Sequence, residues 1–389
     1  MKFSPSRLLT VLAVATGIAA LPQSFNVTHH ARSVTFTYED SGVPAGYKDY
    51  PTTFVIHGYL FHSGTFRKLT PLADDYGLRL VYINRRGYQG STPYNSTEVN
   101  TLQGATSLTD RTAFMNTEGV LLALAVDGLT QLLKLPSKGG VSVLGWSLGT
   151  NFALAFMASM DSDMNSAAKT RLQNSVRSVI ILDPPNSALG IADPPGSYHP
   201  ATDPTIPGTE KNFIFFRWLS GYFKHGNLST RNFAVLEQVN PDPQRAATLD
   251  RMTGLDLIAI SEVADGPRVE GAFAAPFWLD TLADLVNRSI FDPDLRAHWP
   301  KIEQNWILYG DSTNWNVIWP VWKMQERTEA MKKPRLGFEL LKGANHFVSA
   351  GVSPFLGIGR SNTSICILQA MWDQPKLLMQ RVAKIQGAR

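Results

Sequence analysis

The chain has 389 residues, of which 44% are hydrophobic and 17% charged. That length and balance describe a folded protein able to bury a substantial core in one large domain or two. The formal net charge is only +4 and the Lys and Arg residues are scattered, which excludes a basic nucleic-acid footprint and a polybasic membrane patch. A lone cysteine, Cys366, excludes an intrachain disulfide framework. With no spaced His/Cys cluster and no dinucleotide glycine fingerprint in a strand-to-helix setting, neither metal nor organic cofactor is implied, and the expected partner is a small-molecule substrate.

In chain order, Lys2 and Arg7 precede an apolar run from Leu8 to Leu21, with Ala19 and Ala20 near its end and Pro22 after it. This is the layout of a secretory signal peptide occupying residues 1–20. The run is short of the roughly 20 apolar residues that span a bilayer. Asn-x-Ser/Thr sequons at Asn26, Asn95, Asn227, Asn287 and Asn362 are compatible with a secretory route.

Val34 to Tyr38 alternates as an antiparallel strand does, and Thr52 to Ile56 reads as a buried strand ending at His57-Gly58-Tyr59. A helical run is expected over Phe66 to Tyr76, then a strand over Leu78 to Ile83. Apolar residues at helical spacing run from Glu118 to Leu135 and stop at Pro136. Two more strands follow, Val141 to Leu144 and Val176 to Leu182, the second ending at Asp183-Pro184-Pro185. The alternation of strands and helices predicts βαβ units and a mostly parallel sheet, over residues 30–183 and again over 301–389. From Pro184 to Pro300 the rhythm breaks into Pro/Gly-rich turns and aromatic helical pieces, expected to form an inserted, mainly helical cap. Afterwards Trp306 to Tyr309 and Leu336 to Leu341 resume the strands. Between them, Asn316 to Lys332 reads as a helix interrupted near Pro320.

Chemistry concentrates at strand ends. Gly145-Trp146-Ser147-Leu148-Gly149 lies between an apolar strand and an apolar helix, the setting that turns a G-x-S-x-G match into a nucleophile elbow. Glycines Gly145 and Gly149 leave room for a sharp turn. Strand-end carboxylates follow, Asp183 and Asp311, and His346 follows the last strand. A base is needed because a serine hydroxyl is a poor nucleophile until its proton is taken.

Together with His57-Gly58-Tyr59 and Arg86-Gly87-Tyr88-Gln89-Gly90-Ser91, this order of Ser, acid and His resembles the α/β-hydrolase superfamily, in its serine-nucleophile, esterase- or lipase-like branch with an inserted helical cap. The resemblance implies the α/β-hydrolase fold, a mostly parallel sheet flanked by helices. It also implies Ser147 as nucleophile, His346 as base, and the backbone N–H groups of Tyr59 and Leu148 as an oxyanion hole. For the acid, the family most often uses the strand before the last. The expectation therefore falls on Asp311, although it comes two residues early and Thr313 holds the usual position. Asp183, in Leu182-Asp183-Pro184, is the alternative. The family runs from its His directly into a Trp-Asp-x-Pro-like segment, but here Met371-Trp372-Asp373-Gln374-Pro375 comes late. Residues 348–370 read as a lineage-specific loop or a translated intron.

The function this implies is hydrolysis of an ester, less readily an amide, through an acyl-enzyme. The cap aromatics Phe213, Phe215, Phe216, Trp218, Phe223, Phe277 and Trp278 would either wall an apolar pocket for a hydrophobic substrate or pack the cap onto the core. A cofactor-free perhydrolase, a carbon–carbon hydrolase, and a non-catalytic ligand-binding protein on this fold are the alternatives.

Overall fold

A strand that reads as an unbroken apolar run needs cover on both faces. The computed structural model describes residues 22–347 and 374–388, apart from 105, 263–264 and 332–334. Its strands are β1 (Gln23–His29), β2 (Arg32–Asp40), β3 (Thr52–Ile56), β4 (Arg79–Ile83), β5 (Val141–Trp146), β6 (Val176–Leu182), β7 (Asn305–Gly310) and β8 (Leu336–Leu341). They form one eight-stranded sheet in the order β1-β2-β4-β3-β5-β6-β7-β8. The β1–β2 and β2–β4 pairs are antiparallel and all others parallel. This is the mostly parallel, helix-flanked sheet that the sequence predicts. It begins earlier than expected, because Gln23–His29 pairs along its whole length with β2.

Alternate residues of the central strands serve two cores, as the period of two requires. Phe54, Ile56, Val81, Ile83, Val143, Val179 and Ile181 face one side. There they meet α2 (Leu108–Leu132), which follows α1 (Ser96–Gln103), and α3 (Gly149–Ala158), which precedes α4 (Ser166–Ser175). Val55, Leu80, Tyr82, Leu144, Trp146, Ile180 and Leu182 face the other side. That side is closed by the 63–76 segment and by the last helix of the chain, Pro375–Gln386, through Leu378, Met379 and Val382. At the start of that helix, Gln374 Nε2 donates to Lys342 O at 3.1 Å, next to the end of β8. The expected insertion at 348–370 and the signal peptide at 1–20 lie outside the described residues.

Two local expectations give way to backbone chemistry. The 66–76 run is no α-helix but three 3-10 turns, Ser63–Phe66, Thr70–Leu72 and Asp74–Tyr76. Pro71 withholds an N–H, and Gly77, at φ 58°, closes the last turn. Conversely, the helix Trp315–Glu329 continues through Pro320. The proline removes the donor that would reach the carbonyl of Asn316, and Asn186 N–H fills that acceptor at 2.8 Å. The expected cap also divides by packing. Helix α5 (Lys211–Leu219) and Phe223 join Trp315, Ile318 and Trp322 in a separate cluster through Trp218. Phe273, Trp278 and the α6 residues Leu282 and Leu285 (helix Leu279–Val286) belong to the main core instead.

At the β6–β7 seam, Asn305 acts as a side-chain extension of the ladder. Its buried Oδ1 accepts from Val179 N–H at 3.0 Å, where β7 has only begun. Asn305→Leu keeps the number and branching of the side-chain heavy atoms and orphans that donor. It should lower the equilibrium unfolding free energy by about 1–3 kcal/mol in urea, with little change in m-value.

Candidate active site

β5 delivers Ser147 onto a turn with φ 54°, a left-handed conformation that a non-glycine residue holds only under constraint. The constraint is visible around it. A Cβ at Gly145 would lie 2.5 Å from the Gly149 carbonyl oxygen, and one at Gly149 would lie 2.5 Å from Ile56 O. At Gly58 it would meet the Ser147 Cβ at 2.9 Å. Both elbow glycines therefore allow backbones to touch, and Gly58, singled out in the sequence only as part of a turn, brings the end of β3 against Ser147.

The Ser147 hydroxyl lies 2.9 Å from His346 Nε2, and His346 Nδ1 lies 2.8 Å from Asp183 Oδ2. His346 and Asp183 are buried, and the Trp146 indole N–H donates to His346 O at 2.9 Å. The next loop residue back, Asn345, is also buried. It donates to Ser220 O at 2.6 Å and Thr248 Oγ1 at 2.8 Å, so the histidine loop is fastened to the cap.

The carboxylate beside the imidazole is thus Asp183, and the expectation of Asp311 is corrected. Asp183, at φ 51°, accepts from Gly310 N–H at 2.9 Å through Oδ1 and from the Thr313 hydroxyl at 2.7 Å through Oδ2. Asp311 turns away to accept from Gly343 N–H at 2.6 Å, bracing the turn after β8. Thr313, at the position where the resemblance would put an acid, supplies a hydroxyl to the acid from β6. The signal for this lay in the sequence as a threonine where an aspartate was due.

The backbone N–H groups of Tyr59 and Leu148 have no acceptor among the described residues, and both residues line the same cavity as Ser147 and His346. That cavity, of about 320 Å³, is walled by Leu60, Phe61, Trp146, Phe215 and Leu219, with His199, Lys211 and Asn316 adding polar groups. Between the two roles open to the cap aromatics, only Phe215 takes the pocket wall. Phe216 stacks edge-on against Phe61, Trp218 and Phe223 pack onto the helix Trp315–Glu329, Trp278 is in the core, and Phe213 is 61% exposed. Most of the stripe is packing.

His57 has a structural role. Its Nδ1 donates to Gly58 O at 2.9 Å and its Nε2 accepts from Arg85 N–H at 2.9 Å. Burial, reinforced by the Arg85 charge, holds its pKa well below the ordinary value. Sequence reasoning passed over Arg85 and Glu270, which form a buried ion pair beneath this turn. The neighbouring Arg86 binds Glu98 at 2.6 Å and Glu118 at 2.7 Å, and burial raises the Glu118 carboxyl despite that pairing. Among the described residues, no group of three or more His, Cys, Asp or Glu side chains is arranged to hold a metal.

A model of the alpha/beta hydrolase family matches residues 54–354. Among solved structures, epoxide hydrolase A from Mycobacterium thermoresistibile aligns at 15% identity over 95% of this chain and 99% of its own, with a TM-score of 0.46. A thermophilic esterase from Thermogutta terrifontis aligns at 15% identity over 84% and 92%, TM-score 0.42. A bromoperoxidase from Bacillus anthracis aligns at 17% identity over 84% and 93%, TM-score 0.41. Comparison with curated proteins by sequence returns no match.

His62, buried next to the site, gives a pH signature. Its Nδ1 accepts from Gly64 N–H at 3.1 Å, capping the first 3-10 turn, and burial lowers its pKa to about 4. Below the unfolded value of about 6.5, the unfolded chain takes up a proton that the folded one refuses, so this contribution to stability is lost as pH falls toward 4. His62→Gln should flatten the rise of unfolding free energy between about pH 5 and 6 by up to about 1.4 kcal/mol per pH unit, measured by urea titration.

Proposed function

Because the chain belongs to the alpha/beta hydrolase family, we propose that it is a serine hydrolase of carboxylic esters, acting through an acyl-enzyme on a hydrophobic small-molecule substrate. The observation that carries this is the unbroken run of hydrogen bonds from Ser147 through His346 to Asp183 at the wall of an apolar cavity.

In this reading the substrate carbonyl carbon is attacked by the Ser147 oxygen as His346 Nε2 takes the hydroxyl proton. Asp183 holds the imidazole in the tautomer with hydrogen on Nδ1 and stabilises the imidazolium that forms. Negative charge gathering on the carbonyl oxygen is met by the N–H groups of Tyr59 and Leu148. The proton then passes from His346 to the departing alkoxide. Water repeats the sequence on the acyl-enzyme and frees Ser147. The apolar walls Phe61, Trp146, Phe215 and Leu219 favour a hydrophobic acyl or alcohol group, and esters over amides because an alkoxide leaves more easily.

We further propose that the chain enters the secretory route through residues 1–20 and carries N-glycans. Asn26, Asn95, Asn227 and Asn287 are all exposed, in keeping with that proposal.

A fluorophosphonate probe should label the native chain and fail to label Ser147→Ala. Asp183→Asn should cut turnover of p-nitrophenyl esters by roughly 10³–10⁴, while Asp311→Asn stays near the native rate. A folded native chain that takes no label would point instead to a ligand-binding protein. Expression in a eukaryotic secretory host should yield a product that loses mass on endoglycosidase treatment. An unchanged mass would remove the glycosylation proposal.

A further inference from the structure

The Tyr59 N–H, one of the two donors assigned to the oxyanion hole, belongs to the peptide unit whose carbonyl is Gly58 C=O. In a trans peptide the two point in opposite directions within one plane. Whatever grips the Gly58 oxygen therefore aims the Tyr59 hydrogen. Two donors grip it, His57 Nδ1 at 2.9 Å and Arg85 Nη2 at 3.0 Å. The same guanidinium donates from Nε to His57 O at 3.0 Å, so one planar fork holds two successive carbonyls of the turn.

Arg85 is fixed in turn. Its Nη1 pairs with Glu270 Oε1, and its guanidinium carbon lies 4.7 Å from the Tyr88 ring centroid and 4.5 Å from that of Phe152. Glu270 also accepts from Tyr88 OH at 2.7 Å and from Tyr94 OH at 3.1 Å. The Arg85 and Glu270 side chains are 3% and 0% exposed. A buried cation drawing on a carbonyl oxygen also polarises the peptide and makes its N–H a stronger donor, an effect enlarged where water is excluded. Glu270 comes from the segment inserted between β6 and β7, so that segment reaches into the hole from below.

We propose that Arg85, clamped by Glu270, is a positioning residue that aims and polarises the Tyr59 N–H toward the oxyanion. The inference rests on the serine hydrolase reading and goes beyond it. Arg85 touches no reacting atom. It acts through the peptide it holds, and lysine cannot replace it because a point charge cannot hold both carbonyls at once.

The test compares the native chain with Arg85→Lys and with the double variant Arg85→Met/Glu270→Gln, which leaves no unpaired buried charge and keeps the experiment independent of gross misfolding. Each is assayed on an ester and on its thionoester, where sulfur is a poor acceptor for the hole. The expected result in folded variants is a fall in kcat for the ester of about 10- to 100-fold, less than loss of a whole donor. KM should stay within about twofold and the pH midpoint of kcat should not move. The oxygen-to-sulfur rate ratio should shrink in step with kcat. A loss carried by KM, a displaced pH midpoint, an unchanged oxygen-to-sulfur ratio, or native turnover in a folded variant overturns the proposal. If the native chain hydrolyses no ester and takes no fluorophosphonate, the reading of the site falls and the inference falls with it. Native activity with unaffected variants removes the inference alone.

Discussion

The end of β3 and the turn after β5 meet backbone to backbone, and the geometry of the site follows from that contact. A single added Cβ at Gly58, Gly145 or Gly149 would occupy space already filled by Ser147, by Gly149 O or by Ile56 O. The contact sets the peptide of Tyr59 beside the serine and holds Ser147 in its left-handed conformation. It also lets α3 start at Gly149, immediately past the turn. Parallel strands supply the remaining parts because their carboxyl ends open on one edge of the sheet. β6 ends one residue before Asp183, β7 at the Gly310 whose N–H Asp183 accepts, and β8 leads through a short turn to His346.

Beneath that edge lies an unusual quantity of buried charge. Arg85, Arg86, Glu98, Glu118 and Glu270 are all buried, each engaged by an opposite charge. Burial would lower the Arg85 guanidinium, but Glu270 more than offsets it and keeps the group above its usual range. Such pairs seldom add net stability over an apolar replacement, since desolvation consumes most of the Coulombic gain. Their contribution here is directional, because a fork of fixed geometry decides where two carbonyls point. The same economy appears at Thr313, whose hydroxyl serves Asp183 while its own carbonyl accepts from His225 Nε2 at 2.7 Å.

Much of this was legible in the residues themselves. The strand Val176–Leu182 falls where its apolar run predicted it, since both of its faces are covered, and Leu336–Leu341 also falls in place although it is an edge strand with Leu340 exposed. The serine, the histidine and the turn at His57 were legible because each closes a strand. Which aspartate meets the imidazole was not. Asp183 and Asp311 both follow strands, and the choice depends on side-chain direction at two neighbouring strand ends, which spacing does not encode. Arg85 was invisible for a related reason, since its partner Glu270 lies far along the chain within the insertion. The aromatic residues of that insertion left two readings open because packing and pocket walls use the same side chains.

The last helix of the chain returns to β8, where Arg381 pairs with Glu339 at 2.8 Å. It begins beside the turn that follows β8, with Gln374 Nε2 donating to Lys342 O at 3.1 Å. Both anchors, β8 and the helix Pro375–Gln386, are held by their own packing whatever joins them. The turn that carries His346 is therefore held from three sides, by the sheet through β8, by Ser220 and Thr248 through Asn345, and by the last helix at Lys342.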